Sequence, residues 1–372
     1  MEQEYQAWAE TMWHRIEEKM HRTVARNTDI IPYTTDKNGR FLDIYHRSPA
    51  MWTNGFWPGI LWYLYQATGE EFYRCEAEKA EKKLDRLLTL EMGCDVVDHD
   101  VGFLWHLSAG ADYLLTQNPQ SWVRSMRAAE LLMARFNPDG RYFTAWNGAD
   151  RQGWSIIDTM MNLPLLYRAS EQTGYTRFAR AAMAHADHTM QYMLRSDGSS
   201  AHIAVYDPTD GHLLHWLAGQ GAAPDSAWSR GQGWAIYGFA LSYRYTRKEE
   251  YLLASKRAAE YAEQALQKTG WIPRSDFCGA KELWDTTAGA IIANGMLELA
   301  EHLPGEAAHW RKTALCILKA LEEHCDWAED HDALLLNCSE RYTDEKQMTI
   351  LYGDYFLIEA VLRLKGGVQV LW

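Results

Sequence analysis

Two aspartates stand where a carboxyl group could do chemistry. Asp158 is the single acid in SIIDTMMNLPLLY (155–167), flanked by Ile156, Ile157, Met160 and Met161, with Asn162 and Pro164 just behind it. An ionised carboxylate is costly in such surroundings, so either Asp158 caps a helix or its environment keeps a proton on it. Asp100, in DHDVGFLW (98–105), opens a second apolar segment. If the two segments are neighbours, their carboxyl groups approach each other, and two acids sharing a site push one proton affinity up. On that reading Asp158 is a general acid, protonated near neutrality, and Asp100 is its ionised partner. The capping reading stays open for both, because Asp is a favoured N-cap and Asp98 and His99 equally suit a solvated loop.

Other groups point the same way. Arg230, in WSRGQGW (228–234), is a fixed cation whose planar fork matches a carboxylate. Trp52, Trp57, Trp146, Trp154, Trp228, Trp234 and Trp284 occur in or beside the same segments, within a chain that holds 17 tryptophans. Such rings fill cores, and they also make platforms for sugars. Aromatics, paired acids and a cation together suggest carbohydrate chemistry on an acidic sugar.

The elements that must position these groups form a repeat. An apolar helix rich in small residues is followed, after a short turn, by an amphipathic helix carrying charges, as in GFWPGILWYLYQATG (55–69) and then EEFYRCEAEKAEKKLDRLL (70–88). The apolar members recur at 102–117, 161–174, 233–247, 289–303 and 354–364, and the amphipathic ones at 121–136, 175–193, 248–266 and 309–325. The last apolar helix has no follower. The N-terminal segment 4–24 has apolar positions Tyr5, Trp8, Met12, Ile16 and Met20, and it could pair with that last helix and close a ring. The pattern predicts an all-α (α/α)6 toroid over residues 1–372 as a single domain.

The stretch AHIAVYDPTDGHLLHW (201–216) alternates on either side of a turn and predicts a small β-hairpin over one mouth, with His202 on its first strand. If the inner helices run in parallel, their N-termini meet at that mouth, where free N–H groups favour an anion. Asn54, Asp100, Asp158, Arg230, Asp285 and Asp354 lie at those starts, and Asp285 and Asp354 read first as caps.

Composition bounds the rest. The chain is 47% hydrophobic with a net charge of −13, which argues against nucleic acid and anionic membranes as partners. No apolar run approaches the ~18 residues of a membrane span. The start, MEQEYQAWAE, lacks the basic and apolar regions of a signal peptide. Six scattered cysteines show no metal-ligand spacing. A cytoplasmic protein is expected, as a monomer or homodimer.

WTNGFWPGILW, HDVGFLW, IIDTMMNLPLL, SSAHIAVYDPTDG, WSRGQGWAIYGFAL and YGDYFLIEAVLRL, in this order between residues 52 and 364, resemble the unsaturated glucuronyl hydrolases. The resemblance implies an (α/α)6 barrel that removes an unsaturated uronic acid from the non-reducing end of lyase-generated oligosaccharides. It does so by hydrating the C4–C5 double bond. It implies Asp158 as the acid and later base, Asp100 as the assisting carboxylate, and Trp52, His99, Trp146, His202, Gln220, Arg230 and Trp234 as substrate-binding residues, with no metal or organic cofactor. Members that prefer sulfated fragments have a Ser- and Lys-bearing segment before GDY; here Ser339 and Lys346 stand at a different spacing. The related unsaturated rhamnogalacturonyl hydrolases, acting on pectin fragments, are the nearest alternative. From the residues alone, an inverting glycosidase, a sugar epimerase and a non-catalytic helical scaffold remain open.

Overall fold

Apolar residues on every side of a helix demand enclosure, whereas a charged stripe demands solvent. The chain meets both demands by alternating inner and outer helices. A computed structural model describes residues 2–372 apart from 90, 91 and 93–95. Cys94 therefore lies outside the described residues.

α1 (Glu2–Arg26) is followed by five inner–outer pairs: α2 (Phe56–Thr68) with α3 (Glu71–Leu84); α4 (Val101–Trp105) and α5 (Ala109–Thr116) with α6 (Pro119–Met133); α7 (Leu163–Thr173) with α8 (Thr176–Tyr192); α9 (Ser229–Thr246) with α10 (Glu249–Leu266); and α11 (Thr286–His302) with α12 (Ala307–Glu322). The last inner helix, α13 (Leu351–Lys365), packs against α1 and against α2, which closes the ring. Every residue of α9 from Ser229 to Ser242 is buried, as is α13 from Leu351 to Leu362. α2 and α7 end at glycines in the left-handed conformation (Gly69, φ 73; Gly174, φ 72) that turn the chain outward to the next helix. The inner helix expected over 102–117 is interrupted at His106–Ser108, so it counts as two.

Four short strands outside the toroid pattern were not expected. β1 (Pro32–Thr35) pairs with β2 (Phe41–Asp43), and β3 (Phe136–Asn137) with β4 (Tyr142–Phe143). The expected hairpin is present as β6 (Ile203–Tyr206) and β7 (Leu213–Leu217), but it carries a third strand, β5 (Trp154–Ile156), with Ser155 opposite Ala204.

The inner-helix starts touch around one mouth. Trp52 before α2 lies 5.2 Å from Phe103 of α4 and 4.8 Å from Tyr352 of α13, ring centre to ring centre. Asn162 before α7 reaches the Phe103 N–H. Arg230 of α9 bonds to Asp285 at the start of α11 and lies over the Tyr352 ring.

At the other end, residues 368–372 turn back into the barrel. Trp372, 1% exposed, lies parallel to Phe356 at 6.0 Å, donates its indole N–H to Glu359 (2.9 Å) and accepts from Arg244 (2.9 Å). Tyr63 and Arg168 hold Leu371, and Gln66 pairs with the Gln369 backbone.

Candidate active site

Asp158 is positioned by the three-stranded sheet. β5 ends at Ile156, the Ile157 N–H donates to the His202 carbonyl (3.0 Å), and a 3-10 turn (Ile157–Met161) then carries Asp158 toward α7. Asp158 makes no capping bond. It is 8% exposed, and its Oδ2 has no hydrogen-bond partner, the nearest cation-forming group being Nε2 of His202 at 3.7 Å. The capping reading of Asp158 therefore does not hold.

Asp100 occupies the N-cap position of α4, yet its side chain makes no capping bond either. The cap comes from Asn162, whose Oδ1 accepts the Phe103 N–H at 2.8 Å. Asn162 Nδ2 donates to Asp100 Oδ1 (3.3 Å) and to the backbone carbonyl of Asp158 (3.2 Å), so one buried carboxamide bridges both acid-bearing segments. Such close approach requires Gly102, where a Cβ would lie 2.6 Å from Asn162 Cα.

The electrostatics around Asp100 run against the ionised form expected of it. Burial, then the charges of Asp98 and Asp158, push its carboxyl well above the usual range, against the smaller opposing effect of the Asn162 hydrogen bond. These surroundings favour the protonated form of Asp100 over the plain carboxylate. His99 fits this state. Its Nδ1 donates to Ala145 O (2.9 Å), burial holds its proton affinity down, and Nε2 faces Asp100 Oδ1 at 3.2 Å as a neutral ring nitrogen. The His99 ring stands edge-on to Trp146 at 5.6 Å.

His202 is oriented from behind. Its Nδ1 lies 2.9 Å from the Gln220 backbone N–H and 3.1 Å from the Ala218 carbonyl, which together fix the ring, and Nε2 points toward Asp158 Oδ2 at 3.7 Å. Its ring rests on Trp228 at 4.3 Å. Trp52 and Trp146 are half-buried at the mouth.

Two expected binding residues are placed differently. Trp234 is wholly buried between Phe103 and Phe356, beneath the mouth rather than facing it. Arg230 is 1% exposed and already engaged: it donates to Asp285 (2.9 Å), to the Ser339 carbonyl and to the Glu340 carbonyl (2.6 Å), so the fork expected to grip a carboxylate is closed by its own chain. Gln220 is tied to the same segment, donating through Nε2 to Glu340 O (2.7 Å) and accepting from the Tyr342 N–H (2.8 Å). Ser339 is buried with its hydroxyl 3.2 Å from Ser275 Oγ, whereas Lys346 is exposed.

Asp285 caps α11 as expected, accepting the Ala288 N–H. Asp354 does not cap α13. It lies within that helix and accepts the Leu334 and Leu335 N–H groups, which tethers the segment leading to Ser339.

Asp98, His99 and Asp100 bring ligand-type atoms within 4.8 Å of one another. Asp98 accepts the Asp100 N–H (3.0 Å) and His99 is held through Nδ1 by Ala145, which leaves His99 Nε2 directed at Asp100 Oδ1. Sequence reading missed Asn162 as a bridge; its only signal was its position four residues after Asp158.

The sequence model of the family described as Glycosyl Hydrolase Family 88 matches residues 15–339. The unsaturated glucuronyl hydrolase of Bacillus sp. (strain GL1) is 33% identical over 94% of this chain and 95% of its own length. The unsaturated chondroitin disaccharide hydrolase of Streptococcus pyogenes serotype M1 is 30% identical over 86% of this chain and 83% of its own. Among solved structures, the unsaturated glucuronyl hydrolase of Bacillus sp. GL1, described as responsible for the degradation of glycosaminoglycan, superimposes with a TM-score of 0.90 at 31% identity, covering 99% of this chain and 98% of that one.

Proposed function

The chain belongs to Glycosyl Hydrolase Family 88, and from that membership we propose that it releases the 4,5-unsaturated glucuronic acid from the non-reducing end of lyase-generated oligosaccharides by hydrating the C4–C5 double bond. The observation that carries the mechanism is the buried pair of acids, Asp100 and Asp158, bridged by Asn162 at the mouth. The double bond is a vinyl ether through the ring oxygen. Protonation at C4 leaves a cation shared by C5 and that oxygen. Water adds at C5 and gives up its proton, and the hemiketal so formed opens and expels the second sugar from C1.

Asp158 delivers the proton, because its Oδ2 is free of protein partners, and as a carboxylate it then takes the proton of the attacking water. Asp100 beside it helps keep a proton on the site, and once Asp158 has passed that proton to C4 the negative charge left on the two carboxyl groups offsets the positive charge shared by C5 and the ring oxygen. His99, His202 and the half-buried Trp52 and Trp146 contact the sugar. With Arg230 engaged by Asp285, the uronate carboxylate is met first by the His202 ring and the N–H groups of the inner-helix starts. Gln220 and Arg230 join only if residues 339–340 release them. The relatives are named for unsaturated glucuronyl and chondroitin substrates, and this favours a glucuronyl oligosaccharide over pectin fragments. Among the described residues no helix is long and apolar enough to cross a membrane. The five described cysteines are unpaired thiols, which suits a reducing cytosol as the proposed location.

Isotopes test the reaction. In heavy-oxygen water the label is expected at C5 of the uronic-acid fragment, with one deuterium at C4 from heavy water and loss of the alkene absorbance. Rapid cleavage of a saturated glucuronide, with label at C1, would identify an ordinary glycosidase instead.

A further inference from the structure

The geometry of the two acids depends on a third side chain. We propose that Asn162 is a positioning residue for the acid pair: its carboxamide takes over the helix-capping duty that Asp100 would otherwise perform and fixes the orientation of the Asp100 carboxyl beside Asp158. The inference rests on the acid-pair reading above and adds to it.

The orientation of the amide follows from chemistry. The Phe103 N–H can only donate, so the oxygen of Asn162 must face it (2.8 Å) and the nitrogen must face Asp100 Oδ1 (3.3 Å) and the Asp158 carbonyl (3.2 Å). Asn162 is fully buried, so no water replaces these bonds cheaply. An Asp at an N-cap ordinarily turns its carboxylate back to its own helix, where the cap bonds satisfy it. Here Asn162 supplies that acceptor, and the Asp100 carboxyl is left facing His99, with Asp158 near enough for its charge to act on it. The Nδ2–H bond to Oδ1 favours the ionised form of Asp100, opposing burial and the two neighbouring acids. Asn162 thereby limits how tightly the pair holds its proton.

Asn162→Ser and Asn162→Asp remove the donor to Asp100, and the second also adds a negative charge of nearly the same shape. Both are expected to lower kcat about ten- to a hundredfold, the range of a misplaced acid–base group, with KM changed by less than about threefold. Both should move the alkaline limb of the pH–rate profile upward, by roughly half a unit to one unit. A merely structural role would reduce the folded fraction or the melting temperature and leave the limb where it is. A folded variant with the wild-type limb and kcat overturns the proposal. If neither variant folds, the wild-type protein labelled with 15N-asparagine decides: the Asn162 side-chain amide signal must titrate together with the pair, and a signal indifferent to that titration also overturns it. The underlying reading fails separately, if Asp100→Asn and Asp158→Asn remain active. Inactivity of those two with unaltered Asn162 variants refutes only the positioning role.

Discussion

Asp158→Asn should cost on the order of a thousandfold or more in kcat, within the range that positioned acid–base groups contribute. Its melting temperature should change little, because the Asp158 side chain makes no hydrogen bond that Asn would lose. A folded Asn variant keeping a tenth of the activity would remove Asp158 from the proton-donating role. The neighbouring charge of Asp98 gives a second expectation. After burial it is the leading cause of the raised affinity of Asp100. A carboxyl raised in the folded state binds protons that the unfolded chain has already lost. Activity that needs this proton is therefore present at lower pH and disappears as pH climbs through the raised value, and the associated stability fades over the same interval. Asp98→Asn, which can still accept the Asp100 N–H, should shift the alkaline limb of kcat/KM downward, by up to about one unit. An unmoved limb would mean that a different group controls it. At this scale the sequence was only partly legible. The lone acid among apolar residues announced Asp158. Which acid holds the proton, and that Arg230 is closed off by carbonyls more than a hundred residues away, depends on contacts that no local pattern encodes.

Helix pairs were legible because enclosure and exposure leave opposite signatures, apolar on all sides or on one stripe. Shorter elements were not. β5 spans three residues, too few to alternate visibly, yet it is what connects the hairpin to Asp158. The β1–β2 hairpin did carry a signal, Asn38-Gly39 with Gly39 at φ +76, which turn chemistry would have recovered. Asp354 was misread for a physical reason: an acid near a helix start can serve a neighbouring strand of chain as well as its own helix. The inner helices are also joined by buried charge. Burial opposes the ionised form of Glu298, but Arg244 and Arg363, with His302, hold its carboxyl well below the usual range. Glu298→Ala removes the buried partner shared by two guanidinium groups, leaving Arg363 with Glu301 and Arg244 with the Trp372 carbonyl, and should cost about 3 kcal/mol in urea unfolding, with kcat of the folded fraction preserved. A loss below about 1 kcal/mol, the worth of a surface pair, would show that water reaches these cations.

Among the described residues one large buried apolar cluster takes in side chains from Met12 to Trp372, beside a small one at Ala145, Ile156 and Ile203, and we propose that the chain folds as one domain. Its closure by α1 and α13 was legible from an unpaired last helix; the inward turn of residues 368–372 was not, since a short apolar tail has no periodicity to read. That tail decides how a polymer can meet the enzyme. With Trp372 wedged beside Phe356, the barrel is a cul-de-sac: a sugar chain enters head first, and whatever follows the first ring must trail into solvent. On the proposed reaction, then, no internal linkage is reached, and a long chain is expected to be trimmed once and released. The rest of the substrate is then nearly invisible, and unsaturated di- and tetrasaccharides of one polymer should differ in kcat/KM by less than about tenfold, the worth of a single modest contact. A steep rise with length would mean that the trailing sugars find a groove on the rim. Otherwise the enzyme recognises a cut end and pays no attention to the length of what was cut.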